Sequence, residues 1–324
     1  MKQAAKLGLA APLAVAIASV SALLPALPGR AQTDAPYTVV ESGRTFQRLQ
    51  DAVNAIGDGT GTIRLASFRF ADCAVQTAGD ILYTAAEPGQ AVFDTTVCED
   101  KAALVLRGRR ARVAGLVFLN MKSSDGNGAG IRLEQGDLDI TQSWFRDSQQ
   151  GLLTANGQRG AITIDKSTFT RLGTCEFSGG CAHSIYVGDY GSLTVTRSRF
   201  EEGVGGHYLK SRAPRIDVRD SSFDDSAGKG TNYMIDLPAG ATGQITNNWF
   251  VQGKNKENYT AIIAIAAEGR VNSSAGLAIS GNNARMAPGV DFATGFVVDW
   301  SGDQLAVGAN VLGEGLPRYE RRKL

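Results

Sequence analysis

The chain has 324 residues, of which 33 are basic and 32 acidic, so its net charge is +1 with neutral histidines. This balance lacks the basic excess of a nucleic-acid-binding surface, and the many apolar residues exclude a disordered chain. The 39 glycines against 9 prolines, without a collagen period, predict many tight turns and favour an all-β or repeat architecture.

Residues 1–31 have the pattern of a secretory signal peptide. Two lysines precede an apolar run over residues 7–27, and small residues before position 32 permit cleavage after Ala31. An uncleaved membrane anchor is the alternative, but Pro12 and Pro25 interrupt the run. No later apolar run has the length that crosses a bilayer. We expect an exported protein, periplasmic or extracellular, with a single domain over residues 32–324 and no membrane span after cleavage.

Four cysteines follow the signal segment: Cys73, Cys98, Cys175 and Cys181. In an oxidising compartment an even number of cysteines predicts disulfides, here two. Cys175 and Cys181 flank a short glycine-rich loop that a bridge could close, and Cys73 and Cys98 then pair by elimination. Zinc binding is the alternative, but the CxxC spacing of zinc sites is missing.

One helix is predicted near the start of the mature chain. A short strand can form over Thr38–Val40, and Thr45 is a candidate N-cap. Apolar residues then recur at helical spacing over 46–56, up to Gly57. We expect this helix to cover the N-terminal end of the core, and no other convincing helix follows.

The rest of the chain repeats one pattern, apolar–x–apolar–x–x–small or polar–x–Phe. Successive phenylalanines are 23 to 31 residues apart, and the variable part always follows the Phe. The repeats are Ala111–Phe118, Leu138–Phe145, Ile162–Phe169, Leu193–Phe200, Ile216–Phe223 and Gly243–Phe250, with a degenerate seventh, Leu277–Ala284. Loops on one side of the fold would absorb such insertions.

Aligning the repeats gives two further expectations. The six phenylalanines should stack inside the fold. The small or polar positions should form a column at a turn and satisfy backbone groups there: Ser143, Ser167, Ser198, Ser221, Asn248 and Asn282. Coiling the chain buries the repeat strand and a second apolar strand against one core. The sequence therefore predicts an all-β, right-handed parallel β-helix with an N-terminal capping helix. A β-sandwich, the alternative, would show hairpins without a Phe ladder in register.

The second strand of each repeat can be aligned as well. Its members are Gly130–Glu134, Gly151–Ala155, Ser184–Gly188, Tyr208–Arg212, Met234–Pro238, Ile262–Ala266 and Phe296–Trp300. One apolar position faces the core, and the next residue points to solvent: Arg132, Leu153, Tyr186, Lys210, Asp236 and Ala264. Because neighbouring coils lie about 4.8 Å apart, the side chains of Tyr186, Lys210 and Asp236 should lie within roughly 10 Å of one another.

Chemically active side chains concentrate on this outward face. Arg212 points outward two positions past Lys210, and His183 and His207, the only histidines, begin two of the strands. Together with Tyr186 they place a phenol, an ammonium, a guanidinium and two imidazoles close to the carboxylate of the next coil. This combination predicts an active site. The alternative is a set of ordinary surface residues with an ion pair of little energetic worth.

At these residues the chain resembles the pectin-lyase-like superfamily of secreted right-handed β-helices, which includes polysaccharide lyases, uronate epimerases and glycoside hydrolases. The resemblance covers about Tyr37 to Leu312: the capping helix, the Phe and Ser/Asn ladders, and a site on an outer sheet face. The Gly-His-Gly and Arg-Ile-Lys segments of the polygalacturonase-like branch are absent, and Gly205-Gly206-His207 is only a partial echo. The segment His207–Arg212 fits the logic of lyase and epimerase members, which place acid and base beside an arginine that binds the uronate carboxylate.

The resemblance implies an acidic polysaccharide or oligosaccharide as partner, and β-elimination or C5 epimerisation as the reaction. Arg212 would neutralise the uronate carboxylate, and Lys210 would remove the C5 proton. Tyr186 or His207 would protonate the leaving oxygen, and Asp236 would orient Lys210 or His207.

The remaining expectations are less specific. His183 is grouped with the catalytic residues, and substrate contacts are expected from Arg132, Tyr208 and Tyr233. No cofactor is predicted; Ca²⁺ is left open as an unsupported possibility, because the aspartate-rich Ca²⁺ site of pectate-lyase-type enzymes is unclear in this sequence. A non-catalytic polysaccharide-binding or cell-surface β-helix is the second hypothesis. A glycosidase is the third, with Asp236 and either Asp299 or Glu134 as a poor carboxylate pair. The segment Lys254–Asn258 is predicted to be a solvated loop beside the groove.

Overall fold

The computed structural model describes residues 1, 35–157, 159–176 and 180–323; apart from Met1, the predicted signal peptide lies outside these ranges. From Ala35 onward the chain forms one compact unit. In its described part the chain passes repeatedly through three strands, each in a different sheet. Consecutive coils pair in parallel in all three sheets, and this confirms the predicted parallel β-helix.

The first sheet has twelve strands in the described residues, of which the first two are antiparallel to their neighbours. They are Tyr37–Val39, Arg44–Phe46, Thr60–Leu65, Asp80–Ala85, Arg110–Ala114, Asp137–Thr141, Ala161–Asp165, Ser192–Thr196, Arg215–Arg219, Thr242–Thr246, Ala278–Ser280 and Ala306–Val307.

The second and third sheets have ten strands each in the described residues. Those of the second are Phe68–Phe70, Ala91–Asp94, Leu116–Leu119, Trp144–Arg146, Thr168–Thr170, Arg199–Glu201, Ser222–Asp224, Trp249–Gln252, Asn283–Met286 and Val311–Leu312. Those of the third are Ala74–Gln76, Ala102–Leu106, Ala129–Leu133, Gln150–Thr154, Ile185–Val187, Leu209–Ser211, Ile235–Leu237, Ala261–Ile265, Gly295–Asp299 and Glu320–Arg321.

Each predicted repeat folds as a first-sheet strand and a second-sheet strand joined by a sharp turn. The residue at the turn has a positive φ, for example 50° at Lys166 and 54° at Asp220. The Ser/Asn column stabilises these turns by accepting backbone N–H groups of the preceding coil. Asn248 Oδ1 accepts from the N–H of Ser221 at 3.0 Å, and Asn248 Nδ2 donates to the carbonyl of Val218 at 2.9 Å. The predicted role of this column is confirmed.

The six predicted phenylalanines are fully buried and stacked. Ring centroids of successive members lie 4.6–5.1 Å apart, for example 4.8 Å between Phe169 and Phe200. Phe93 and Phe70 extend the stack by two coils that the sequence pattern missed. In the coil of Phe93, a loop over residues 86–90 separates the strand Asp80–Ala85 from the strand Ala91–Asp94. This insertion breaks the spacing of the pattern.

The helix spans Leu49–Ile56 and begins later than expected. Thr45 does not cap it, because Arg44–Phe46 pairs as a strand with Tyr37–Val39. The carboxylate of Asp72 instead accepts the N–H of Leu49 at 2.8 Å and so satisfies a free amide at the helix N-terminus. Apolar residues of the helix join the core, and the helix ends at Gly57 with φ 60°.

Both predicted disulfides form, Cys73–Cys98 and Cys175–Cys181. No cysteine of the described chain remains as a free thiol, so no thiolate is left for a zinc ion. The second bridge closes a loop at the edge of the groove described below. Within the described residues, no helix combines the length and the apolar character that a membrane crossing requires.

Candidate functional site

Three neighbouring strands of the third sheet bring the predicted site residues side by side. Tyr186 pairs with Lys210, and Lys210 pairs with Asp236, in parallel register. The same column continues to Leu153 and Arg132 on one side. This is the placement that the strand alignment predicted, while the catalytic roles of these residues stay a prediction.

A polar groove of about 720 Å³ opens on this face. Five predicted residues line it: Arg132, His183, Tyr186, His207 and Lys210. Loop residues complete its walls, among them Asp125, Asn127, Asn232, Glu257 and Glu268. Beyond Asp236 the column becomes apolar, and its residues Ala264 and Val298 are buried in a cluster with Tyr233. The groove therefore occupies the part of the face where the column is polar.

A carboxylate bridges Lys210, which lines the groove, and the neighbouring Arg212. Glu268 Oε1 lies 2.6 Å from Lys210 Nζ, and Glu268 Oε2 accepts a hydrogen bond from the guanidinium of Arg212. We call Lys210 and Arg212 the carboxylate clamp. Burial disfavours the charge of Glu268, but the two hydrogen bonds outweigh it and hold the pKa of Glu268 below its usual value. The clamp therefore holds an ionised carboxylate through both of its oxygens.

Tyr186 lies against the clamp. Its hydroxyl oxygen accepts a hydrogen bond of 3.1 Å from Arg212 Nε, and Lys210 Nζ is 5.9 Å from the centre of its ring. The edge of the His183 ring meets the Tyr186 ring at a centroid distance of 5.4 Å. Because the oxygen accepts this hydrogen bond from Arg212, its own O–H remains available to a ligand in the groove.

The two histidines are buried and neutral. His183 Nδ1 accepts the backbone N–H of His207 at 3.0 Å, so the proton of the neutral His183 ring is on Nε2. Burial, aided by the charge of Lys210, lowers the pKa of His183 to about 3. Burial together with His183 and Lys210 lowers the pKa of His207 well below its usual value. Both rings are therefore weak bases at neutral pH.

Asp236 is the most buried of the predicted catalytic groups, with 2% of its surface exposed. Its Oδ2 lies 3.4 Å from Lys210 Nζ and 3.4 Å from His207 Nε2, while no described residue donates a hydrogen bond to Oδ1. Burial raises the pKa of Asp236 to about 7, against the opposing effect of Lys210. Asp236 thus contacts two groove residues and is suited to positioning them, as predicted.

Two expected substrate contacts are wrong in their placement. Tyr208 is 1% exposed and points into the core, where its hydroxyl donates to Asp225 Oδ1 at 2.7 Å. It precedes the inward-facing Leu209, at a bend where either face is open to a side chain. Tyr233 is buried in the apolar cluster, and its hydroxyl oxygen accepts a hydrogen bond of 2.8 Å from Asn258 Nδ2. Neither residue lines the groove.

The segment Lys254–Asn258 is not a simple solvated loop. The side chain of Lys256 is fully buried and lies 2.9 Å from Asp225 Oδ2, and it also donates to the carbonyl of Asn232. Burial lowers the pKa of Lys256 against the attraction of Asp225. This internal ion pair anchors the segment that presents Glu257 to the groove.

The carboxylate pairs considered for a glycosidase do not form. Asp299 is in register with the inward-facing Ile265, is fully buried, and accepts a hydrogen bond of 2.6 Å from Tyr319. Glu134 is bound to Lys101 at 2.9 Å and to Arg107 at 2.5 Å. Neither acid lines the groove.

Comparison with known proteins supports the fold but does not identify a function. The sequence matches no protein-family model and no curated protein. The chain shares its fold with a solved structure of Geobacillus virus E2, ORF18, at a TM-score of 0.50 and 14% identity, over 84% of this chain and 56% of that chain. A mutant of the PL6-family alginate lyase AlyGC aligns at a TM-score of 0.33 and 13% identity, over 85% of this chain and 53% of the other. The chain thus spans about half the length of each of these proteins.

Sequence reasoning missed the loop residues of the groove, and among them Glu268 is the one that contacts the clamp. It follows the third-sheet strand Ala261–Ile265 in a loop, where no repeat register applies. The signal available was a single acid directly after a small and apolar segment, 264–267. Because the acid comes from two coils beyond Lys210, only the folded loop shows that it reaches the clamp.

Proposed function

We propose that this chain binds an acidic, uronate-containing polysaccharide in the groove and acts on it by β-elimination, with C5 epimerisation as the related outcome. One observation carries the proposal: Lys210 and Arg212 already hold a carboxylate between them, that of Glu268. A site that accepts a side-chain carboxylate through both oxygens can accept the carboxylate of a uronate in the same way.

The lining of the groove supports a sugar rather than an apolar ligand. Amides and charged groups form its walls, and the neutral His183 offers an N–H toward hydroxyl groups. The groove follows several coils of the solenoid, as an extended polymer requires. Two disulfides are compatible with an exported protein, the setting in which extracellular glycans are met.

The clamp would prepare the substrate for proton removal. Two cations on the carboxylate withdraw electron density and stabilise the negative charge that develops when the C5 proton leaves. Lys210 touches the carboxyl groups of Glu268 and Asp236, so it suits the role of a fixed positive charge better than the role of base first assigned to it. His183 and His207 are poor bases, because their pKa values are lowered.

Tyr186 is then the group that exchanges protons. Its oxygen, which accepts a hydrogen bond from Arg212, would pass its own proton to solvent and then take the C5 proton; the C4–O bond would break as the C4=C5 bond forms. The same oxygen would return its proton to the leaving oxygen, which restores the enzyme. Return of a proton to C5 from the opposite face, without cleavage, would give the epimer.

The proposal is tested by incubating the purified protein with alginate, pectate and bacterial exopolysaccharides. A lyase produces the ultraviolet absorbance of a double bond conjugated to the uronate carboxylate, and an epimerase exchanges the C5 proton with deuterated solvent. We expect Tyr186→Phe to lower the rate about 10²–10⁴-fold while binding persists. We expect Arg212→Ala to lower both rate and affinity.

Arg215→Ala is the matched control, since Arg215 is exposed on the first sheet, three residues from Arg212. Binding without either reaction on any acidic glycan would support the non-catalytic alternative. Absence of binding to every acidic glycan would overturn the proposal altogether.

A further inference from the structure

We infer that Glu268 is a resident competitor for the substrate carboxylate and thereby sets the specificity of the groove for acidic sugars. The inference rests on the proposed function, since it takes the carboxylate clamp to be the place where a uronate binds. It assigns to Glu268 a role that is neither catalytic nor merely structural.

The contact geometry of Glu268 is that of a bound ligand. Each of its carboxylate oxygens meets a different cation of the clamp, Oε1 at Lys210 and Oε2 at Arg212. A uronate carboxylate has the same three atoms, O–C–O, and the same charge. Both cannot occupy the clamp together, because a second carboxylate would meet the first at close range without additional cations to offset the repulsion.

Glu268 is placed so that it can leave. Its side chain is 45% exposed, whereas the side chain of Asp236, the other acid touching Lys210, is 3% exposed. The backbone of Glu268 is held, because its N–H donates to the carbonyl of Pro238 at 3.0 Å. Displacement therefore requires only rotation of the side chain into water, and the loop can stay in place.

The consequence is selectivity for acidic sugars, because only a ligand with its own carboxylate can replace that of Glu268. A neutral sugar that entered the groove could not replace the lost ion pairs, so Glu268 would keep the clamp closed to it. An acidic sugar restores both ion pairs and releases Glu268 to solvent, where its charge is hydrated. Glu268 thus lowers the affinity for every ligand but penalises neutral ligands most.

The test compares Glu268→Gln with Glu257→Gln, each in the Tyr186→Phe background so that turnover does not consume the probe. Glu257 lines the same groove, but its carboxylate accepts from Asn232 at 3.1 Å and does not contact the clamp. The two variants therefore remove the same charge from the same groove. Calorimetry with size-defined oligogalacturonate and oligomannuronate, and with a neutral oligosaccharide of equal length, measures their affinities.

We expect Glu268→Gln to bind the acidic oligomers about tenfold more tightly than its parent, the size set by removing two partly exposed ion pairs that the ligand must otherwise break. Glu257→Gln should change this affinity less than about threefold. Equal effects of the two variants, or weaker binding by Glu268→Gln, would overturn the inference while leaving the proposed function intact. Failure of the parent and both variants to bind any acidic oligomer would overturn both.

Discussion

The interior of the solenoid and the groove on its third sheet are built from the same coils by opposite means. In the interior each coil repeats the last: Phe169 lies on Phe200, and from Ser143 onward a Ser or Asn side chain accepts the backbone N–H of the preceding coil. In the groove no position repeats, and Tyr186, Lys210 and Asp236 follow one another in register with three different chemistries.

This difference teaches where stability and function reside. Repetition lets each coil satisfy and bury its neighbour, so the interior supports the fold without a charged residue in its stack. The groove region, in contrast, contains buried polar groups that lower stability. Asp236 Oδ1 and His207 Nδ1 have no hydrogen-bond partner among the described residues. Such unsatisfied groups cost free energy and persist at functional sites.

The largest expected effect comes from breaking the repetitive region. Phe200→Ala removes a fully buried ring from the middle of the stack, between Phe169 and Phe223. We expect it to lower the free energy of unfolding by about 3–5 kcal/mol, as large-to-small changes in a packed core do. Urea denaturation measures the effect, with Phe200→Leu as the milder control. A loss below about 1 kcal/mol would show that the stack is not a main source of stability.

The groove should differ from the stack in its response to pH. Asp236 has a pKa of about 7 in the folded protein, above its value in the unfolded chain of about 3.9. The folded state therefore keeps this proton where the unfolded state has lost it. As pH rises from about 4 to about 7, this group removes up to about 1.4 kcal/mol of stability per unit of pH, and the loss is complete above pH of about 7.

Asp236→Asn removes this titration and isolates it. We expect the stability difference between the variant and the wild type to shift in favour of the variant across that pH range and to level off above it. His183 and His207 act in the opposite direction, because their lowered pKa values make stability rise with pH through the acid range. They are common to both proteins, so their effect largely cancels in the difference. A difference that is constant with pH in denaturation curves would contradict the assignment.

A smaller effect should follow from breaking the turn column while leaving the stack whole. Asn248→Ala leaves the N–H of Ser221 and the carbonyl of Val218 buried without their partner. We expect a loss of about 1–3 kcal/mol, the cost of unsatisfied buried groups. Ser222→Ala, at the outward-facing position beside Ser221, is the control and should change stability by less than about 0.5 kcal/mol. If the two variants lost equal stability in urea denaturation, the turn column would contribute no more to stability than the outward-facing residues beside it.

The two regions also differ in how far the sequence predicts them. The stack, the turn column and the register of the third-sheet strands follow from the repeat pattern, so the sequence alone places Tyr186, Lys210 and Asp236 together. Residues at bends and in loops do not follow the repeat of the strands, so the repeat does not predict their orientation. Tyr208 therefore turned inward against the expectation, and Glu268 reached the clamp unpredicted. Burial of Lys256 was hidden for the same reason, since its partner Asp225 lies in another loop.

The smallest expected effect tests whether the groove extends along the coils. Arg132 stands three strands from Lys210 in the same column, roughly 14 Å away at about 4.8 Å per strand. Its Nε lies 3.6 Å from Glu134 and makes no hydrogen bond to any described residue. That Nε is buried, but Arg132 lines the groove and 24% of its side chain is exposed, so the open end of its guanidinium can pair with a second uronate carboxylate of a bound chain.

We expect Arg132→Ala to weaken the binding of long acidic oligomers roughly 2- to 5-fold and to leave the binding of a single uronate unchanged, because only a long chain reaches from the clamp to Arg132. Arg109→Ala, which removes an exposed arginine paired with Asp58, is the matched control. A loss that is equal for all ligand lengths would mean that Arg132 acts through the general field of the groove. In that case the clamp alone would form the binding site, and the polar stretch of the column between them would not contact the ligand.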